Sequence, residues 1–203
     1  MADVSRLYLV AKRAFDLAAC LLLLPVVLLI LLLCALAILL DSPGSVLIAQ
    51  ERTGRDGVRF RMYKFRTMVQ NAEELKAQLA HLNVLPAPDF KIPNDPRITR
   101  VGKFLRETSL DELPQLINVI RGEMSLVGPR PTSFAPSTYS LWHAYRLEVT
   151  PGITGLWQVK GRNVTTFDER LRLDIDYIRH RSLGLDFKII VETVPTMLRR
   201  SGA

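Results

Sequence analysis

Two adjacent carboxylates, Asp111 and Glu112, stand at the expected start of a helix, and a Gly-Pro-Arg-Pro turn at 128–131 follows them. A carboxylate near a helix N-terminus is held in its ionised form, so it can serve as a nucleophile or as a metal ligand. A purely structural interpretation also stays open. Ser109 to Glu112 fits a capping box, with Ser109 as the N-cap and Glu112 at the third helical position.

Basic residues lie on both sides of this acidic pair in the sequence. The arginine guanidinium matches the geometry of phosphate oxygens, and Pro129 and Pro131 stiffen the backbone on either side of Arg130. Two carboxylates also suit Mg²⁺, which usually keeps several waters and shares phosphate oxygens. The pattern predicts a site for phosphate and a divalent metal, whose anion-binding candidates are Arg97, Arg100, Lys103, Arg106 and Arg130.

Several elements must position these residues. Apolar and basic residues alternate over 58–63, which predicts a strand that pairs with 46–50 as a hairpin with one basic face. Lys64 and Arg66 extend this cationic row, and we place both with the phosphate-binding residues. Residues 150–162 are expected to form a Gly-rich loop. Helices are predicted at 71–82, 113–120, 167–178 and 185–198, the last interrupted at Pro195.

A long apolar segment near the N-terminus points to a membrane. Residues 17–40 contain no charged side chain, and at about 1.5 Å per residue they could cross a bilayer. However, Pro25 interrupts the run, and basic residues flank it on both sides, whereas a spanning helix favours asymmetric charge. We therefore predict a re-entrant helical hairpin bent near Pro25. A kinked transmembrane span and a signal peptide ending near Ala37 are the alternatives.

The overall composition narrows the chemistry. The 203 residues carry a net charge of +7, which favours polyanionic partners such as phosphorylated molecules or an anionic membrane face. Both cysteines, Cys20 and Cys34, lie within the apolar segment, where we interpret them as small apolar side chains. Zinc sites built from cysteine and thiol catalysis are therefore excluded for the rest of the chain.

At these residues the chain resembles the monotopic polyprenyl-phosphate phosphoglycosyl transferases, also called bacterial sugar transferases. The resemblance covers most of the chain in the family's order and corresponds to the minimal catalytic unit. Leu24 is a departure, since the family often has serine before the proline. The matching blocks are KRAFD at 12–16, DSPG at 41–44, QERTGRDG at 50–57, KFRTM at 64–68, NDPRITRVGKFLRETSLDELPQL at 94–116, GEMSLVGPRP at 122–131 and TPGITGLWQVKGRN at 150–163.

The resemblance implies an α+β fold. We expect a mainly helical monotopic membrane protein with an N-terminal re-entrant helix, a small β-hairpin and amphipathic interfacial helices. Residues 1–40 would form the re-entrant membrane hairpin, with Pro25 as the helix-breaking proline. Residues 41–203 would form a catalytic domain on the cytoplasmic face of the bacterial inner membrane, as one structural unit with the membrane segment.

The resemblance also implies a reaction. The sugar phosphate of a UDP-sugar would pass to polyprenyl phosphate, such as undecaprenyl phosphate, and UMP would leave. The family mechanism is ping-pong, with Asp111 as the covalent nucleophile, Glu112 in support and Mg²⁺ at Asp111. Four basic residues match family positions near nucleotide or phosphate. They are Lys64, Arg106, Arg130 and Arg162.

Two other functions fit the same residues. One is a membrane glycosyltransferase that transfers the sugar alone and releases UDP. The other is a non-enzymatic, basic, membrane-anchored protein that binds nucleic acid or anionic lipid. For the enzyme we expect the anionic lipid of the cytoplasmic leaflet, and no nucleic acid, as a partner. The sequence does not identify the sugar. It does not determine the oligomeric state either, and a homo-oligomer is one of the states left open.

Overall fold

A computed structural model describes residues 6–84, 90, 92–135, 137, 142–160 and 166–198. The described part is mainly helical, with one small antiparallel hairpin and one long apolar helix near the N-terminus, as predicted. The helices are α1 (Arg6–Asp41), α2 (Ala72–Gln78), α3 (Arg100–Glu107), α4 (Leu116–Arg121), α5 (Leu156–Lys160), α6 (Phe167–His180) and α7 (Leu183–Leu198). The strands are β1 (Leu47–Thr53), β2 (Arg59–Phe65), β3 (Ser125–Val127) and β4 (Gly152–Thr154). Short 3₁₀ helices cover Arg55–Gly57, Ala80–Leu82, Leu110–Gln115 and His143–Glu148.

The predicted hairpin is confirmed. β1 and β2 pair antiparallel, from Leu47 opposite Phe65 to Thr53 opposite Arg59. Phe60 and Met62 of β2 are buried together, because alternate residues of a strand face the same side. Phe65, at the end of the strand, is buried in a different apolar cluster. Arg59 and Arg61 are exposed on the other side of β2.

The Gly-rich segment differs from the prediction. A loop is predicted at 150–162, but over its described residues, 150–160, β4 pairs parallel with β3, and α5 follows directly. Gly128 and Gly152 permit this pairing, because a Cβ on Gly152 would lie 2.0 Å from the Gly128 nitrogen. The glycines of this segment therefore mark a close contact between the backbones of two strands. The predicted interruption of the last helix at Pro195 is also wrong, since α7 continues through that residue.

The long helix α1 packs along the rest of the protein over most of its length. Its buried residues recur on one face at spacings of four and seven, and they are Asp16, Cys20, Val27, Cys34 and Ile38. Cys20 belongs to an apolar cluster with β2 and α4, whereas Cys34 and Ile38 pack with Phe65 and Leu105. Most leucines on the remaining faces are exposed. Both cysteines are free and buried, as predicted.

Pro25 lies within the hydrogen-bonded span of α1. By length and composition, α1 is the one helix in the described residues that could cross a membrane. The two halves of the predicted hairpin, before and after Pro25, therefore belong to a single helix in the structure. The re-entrant topology stays a prediction.

Gly102 lets α3 approach the end of the hairpin. A Cβ at this position would lie 2.1 Å from the Thr67 carbonyl oxygen, a contact that only a backbone shift could relieve. We expect Gly102→Ala to lower the free energy of unfolding by about 2–3 kcal/mol, measured by urea denaturation in detergent micelles. Gly184→Ala in α7 is the control, because nothing lies within 4 Å of its added Cβ. Equal stability of the two variants would contradict this packing.

Candidate active site

Asp111 and Glu112 lie in the 3₁₀ helix Leu110–Gln115, between α3 and α4. Ser109 precedes it in the left-handed backbone region, at φ 56°, and makes no side-chain cap. The predicted capping box is therefore wrong, although Ser109 does occupy the N-cap position. The box does not form because the Glu112 carboxylate accepts charge-assisted hydrogen bonds from two cationic side chains, which are stronger than the bond that it would make to the N-cap amide.

Glu112 is held by two cations from distant parts of the chain. Lys64 Nζ of β2 donates to Glu112 Oε1 at 2.8 Å. Arg130 approaches with both terminal nitrogens, Nη1 to Oε2 at 3.1 Å and Nη2 to Oε1. Burial acts to raise the pKa of Glu112, but Arg130 and Lys64 outweigh it, and the pKa lies below its usual value. Glu112 is thus a fixed, ionised carboxylate that holds the two cations.

Asp111 has a different environment. Its side chain is largely buried, and its Oδ2 lies 3.8 Å from Lys64 Nζ. In the part of the chain that the structure describes, no donor makes a hydrogen bond to this carboxylate. Burial raises the pKa of Asp111, Lys64 opposes the rise, and the negative charge of Glu112 adds to it. An ionised carboxylate with free lone pairs can attack an electrophile or bind a metal ion.

Both carboxylates face a cavity of about 280 Å³. Arg106 of α3 also lines it, and its Nε donates to Thr67 Oγ1 at 2.8 Å. Its terminal nitrogens make no hydrogen bond to any described residue, so they remain available to an anion. The cavity is lined by Ile48, Gln50, Lys64, Phe65, Thr67, Arg106, Ser109, Asp111 and Glu112.

Two residues that the sequence did not suggest, Arg146 and Asp174, hold the backbone of Arg130 in place. Arg146 Nη2 donates to the Arg130 carbonyl oxygen at 2.6 Å and to Asp174 Oδ2 at 2.8 Å. Asp174 is 1% exposed, and burial raises its pKa to about 7 while Arg146 and Arg170 oppose the rise. One signal for this role was available. Asp174 lies between Leu171 and Ile178 on the buried face of α6, where a carboxylate needs a partner.

The remaining predicted cations lie outside this constellation. Arg97 forms a buried ion pair with Asp95, with Nη2 2.6 Å from Oδ2, and also donates to the Ala72 carbonyl. Arg66 donates to the Ser45 carbonyl and to Ser42, fixing the turn after α1. The structure thus brings together Lys64, Arg106, Asp111, Glu112 and Arg130 with its flanking prolines. Arg162 lies outside the described residues, and phosphate binding by Arg66 and Arg97 stays a prediction.

The site offers few ligands for a metal ion. No group of three His, Cys, Asp or Glu side chains converges among the described residues. Lys64 and Arg130 already occupy both oxygens of Glu112, so Asp111 is the carboxylate with free lone pairs. This donor set fits Mg²⁺, which binds proteins through one or two carboxylates and takes its other ligands from water and phosphate.

The unequal environments of the carboxylates predict a pH effect. A nucleophilic or metal-binding role would need Asp111 ionised, so an activity that depends on it should fall as the pH drops through its pKa, which burial places above the usual aspartate value. Because Lys64 lowers that pKa, Lys64→Met should move the acidic limb of the kcat/KM profile to higher pH, alongside a loss of activity. Lys76→Met is the control, since Lys76 is exposed and pairs with Glu73. An acidic limb at the same pH in Lys64→Met would contradict the interpretation.

Comparison with known proteins agrees with these motifs. The sequence model of a family described as Bacterial sugar transferase matches residues 7–200. A galactosyl transferase, CpsE, of Streptococcus agalactiae is 43% identical over 97% of this chain and 44% of its own length. An undecaprenyl-phosphate galactose phosphotransferase of Salmonella typhimurium is 48% identical over 79% of this chain and 35% of its own length.

A third relative is covered more completely. It is a UDP-glucose:undecaprenyl-phosphate glucose-1-phosphate transferase of Caulobacter vibrioides, 42% identical over 95% of this chain and 71% of its own length. By contrast, the chain spans less than half the length of the first two relatives.

Proposed function

The chain belongs to the bacterial sugar transferase family, and from this membership we propose that it transfers a sugar phosphate from a UDP-sugar to polyprenyl phosphate. Relatives named as undecaprenyl-phosphate phosphotransferases for galactose and for glucose support this reaction class. UMP is the released product in this proposal, and a polyprenyl diphosphosugar is the other. Such a product would begin glycoconjugate assembly at the membrane.

The observation that carries the proposal is the contrast between the two carboxylates. Glu112 is neutralised by Lys64 and Arg130, whereas Asp111 faces the same cavity and accepts no hydrogen bond from any residue that the structure describes. A residue that served only to hold the fold would be expected to use its buried acceptors. Asp111 is therefore free to react with an anionic phosphate compound, and Lys64 and Arg106 can offset the negative charge of that substrate.

We assign the covalent role to Asp111 in a two-step exchange. In the first step an Asp111 oxygen attacks the phosphorus that carries the sugar. The bond from this phosphorus to the oxygen bridging the two phosphates breaks, and UMP leaves with that oxygen. In the second step a phosphate oxygen of polyprenyl phosphate attacks the same phosphorus, and the Asp111 carboxylate departs. No net proton transfer or redox change is needed, and the enzyme returns to its starting state.

Other residues would orient the reactants. Lys64 lies between the two carboxylates, where it can contact phosphate oxygens in the cavity while Glu112 fixes its position. Arg130 is locked by Glu112 and Arg146, so its backbone and side chain need little ordering when substrate binds. Mg²⁺ held by Asp111 would neutralise diphosphate charge when bound.

We also propose that both ends of α1 lie on the cytoplasmic side of the membrane. Near its start, Lys12 Nζ contacts Asp186 at 2.8 Å, and Arg13 donates to the Val119 carbonyl at 2.6 Å. At its end, Asp41 Oδ2 accepts from the Val101 amide at 3.0 Å. A helix of 36 residues that ran straight across a bilayer would place these contacts on opposite sides of the membrane. Because both ends of α1 contact the same folded part of the protein, a re-entrant or in-plane helix is favoured.

The topology can be tested with reporters fused separately to the N-terminus and the C-terminus. Both should lie on the cytoplasmic side, as judged by phosphatase and fluorescent-protein activity in cells. Reporters on opposite sides would refute this arrangement and restore the transmembrane alternative.

The released nucleotide tests the reaction itself. Purified protein, polyprenyl phosphate, Mg²⁺ and a panel of UDP-sugars should yield UMP with at least one sugar. Release of UDP would instead indicate transfer of the sugar alone. Absence of any nucleotide product over the whole panel would favour the non-enzymatic binding protein.

A further inference from the structure

A second cavity, of about 80 Å³, lies between the first turns of α1 and the end of α6. It shares no lining residue with the cavity at Asp111. Three cationic side chains line it, and they come from three separate parts of the chain: Lys12, Arg55 and Arg181. This basic cluster plays no part in the reaction proposed above.

Arg181 is the unusual member of the cluster. Its Nε and Nη1 are buried, and neither has a hydrogen-bond partner in the described part of the protein. Leaving a buried donor unsatisfied is unfavourable, and more so for a charged group. A guanidinium donates charge-assisted hydrogen bonds to phosphate oxygens. Nε and Nη1 of Arg181 point to different sides of the group, so each needs an acceptor of its own. The two buried nitrogens of this side chain therefore have no acceptor among the described residues.

The nearby carboxylates do not satisfy this requirement. Asp186 already accepts three hydrogen bonds, from Lys12 at 2.8 Å, Tyr177 at 2.7 Å and Tyr8 at 3.2 Å, and none from Arg181. Glu148 lines the cavity, yet it makes no ion pair or hydrogen bond with Arg181 in the structure. Arg55 pairs with the exposed Asp56 at 3.3 Å. The lining itself therefore holds three cations and one carboxylate, and Arg181 is the cation without a partner among the described residues.

The position of the cavity indicates where an anion would come from. Leu7 and Val10, on the same turns of α1 as Tyr8 and Lys12, are 78% and 67% exposed. Exposed apolar residues beside cations are typical of the level at which lipid headgroups lie. The volume suits a single phosphate group and is much smaller than the catalytic cavity.

We propose that the Arg181 cavity binds one phosphate group, most naturally that of an anionic phospholipid headgroup, and thereby fixes the start of α1 at the membrane surface. Arg181 would donate to phosphate oxygen, and Lys12 and Arg55 would add positive charge. Free phosphate has the same oxygens and is the other source. The inference rests on the proposed membrane association of α1, but not on the proposed reaction.

The test measures binding, so its result is independent of UMP release. The full chain in detergent micelles is titrated with phosphatidylglycerol or phosphatidylcholine, and lipid retention is followed by native mass spectrometry. The wild-type chain should retain phosphatidylglycerol preferentially, and Arg181→Gln should weaken this retention about tenfold. Arg179→Gln is the matched control, since it removes the same charge from an exposed position two residues earlier, in the last turn of α6.

A second variant keeps the test decisive if Arg181→Gln fails to fold. Glu148→Gln removes the negative charge that faces the cavity, so it should tighten anion binding if the site takes phosphate. If Arg181 instead pairs with Glu148 in solution, Glu148→Gln should lower the melting temperature and leave phosphatidylglycerol retention unchanged, which would overturn the proposal.

Inorganic phosphate distinguishes the two sources. If millimolar phosphate raises the melting temperature of the wild-type chain relative to chloride, and Arg181→Gln abolishes the rise, the site takes free phosphate. If phosphatidylglycerol is retained selectively without a phosphate effect, the lipid headgroup is the ligand. If Arg181→Gln and Arg179→Gln show the same phosphatidylglycerol retention and the same response of the melting temperature to phosphate, the proposed site is refuted.

Discussion

Asp111→Asn should reduce UMP release by about 10³-fold or more, because the amide cannot act as the nucleophile that displaces UMP. The same change should leave the protein folded. The carboxylate accepts no hydrogen bond from a described residue, and burial disfavours its charged form, so the neutral amide costs little. We therefore expect an unchanged or slightly raised melting temperature together with the loss of turnover.

Asp176→Asn is the matched control, since Asp176 lies exposed on α6 and away from the cavity. It should retain nearly full activity. Incubation with UDP-sugar alone should add the mass of one sugar phosphate to the wild-type chain but not to Asp111→Asn. Turnover by Asp111→Asn within tenfold of the wild type would remove the nucleophile assignment, even if UMP remained the product.

Arg130→Met should lower both activity and stability. It removes the two hydrogen bonds from Arg130 to Glu112 and leaves Lys64 as the remaining partner of that carboxylate. Loss of one partner from a mostly buried ion pair costs about 2–3 kcal/mol, which urea denaturation can measure. Turnover should fall about 100-fold or more, since Glu112, left with Lys64 as its remaining partner, draws Lys64 away from the phosphate oxygens that Lys64 would contact.

A double-mutant cycle separates this ion pair from simple loss of side-chain packing. Glu112→Gln combined with Arg130→Met eliminates the buried charge that Arg130→Met leaves behind. The double variant should therefore be less destabilised than the sum of the single variants by about 1 kcal/mol or more, although its activity stays low. Strict additivity of the two stability changes would show that Arg130 and Glu112 do not act as a coupled pair.

The local elements could be predicted well from the sequence, and the reasons are physical. The alternation at 58–63 fixed the pairing of β1 and β2, because one face of that hairpin must be buried. The amphipathic pattern at 167–178 predicted α6, which runs from Phe167 to His180. The loop predicted at 150–162 was wrong over the described residues 150–160, because the glycines there permit close contact between strands and do not form a loop.

The candidate site was predictable in its residue types but not in its pairings. Charge and motif selected Asp111, Glu112, Lys64, Arg106 and Arg130, which the structure brings together. Charge alone did not separate Arg130 from Arg97, since both are arginines beside proline, and only the family resemblance singled out Arg130. Arg97 pairs with Asp95 two positions away, whereas Arg130 pairs across the fold with Glu112.

By itself, then, the sequence determined the apolar helix, the hairpin, the reactive residue types and the family, because each is encoded by local periodicity or by contiguous motifs. The tertiary structure alone decided which carboxylate is neutralised and which remains open, that Arg146 and Asp174 support Arg130, and that both ends of α1 meet one body. These features depend on contacts between residues far apart in the chain. Such contacts follow from how the packed elements bring charges together, which no local pattern records.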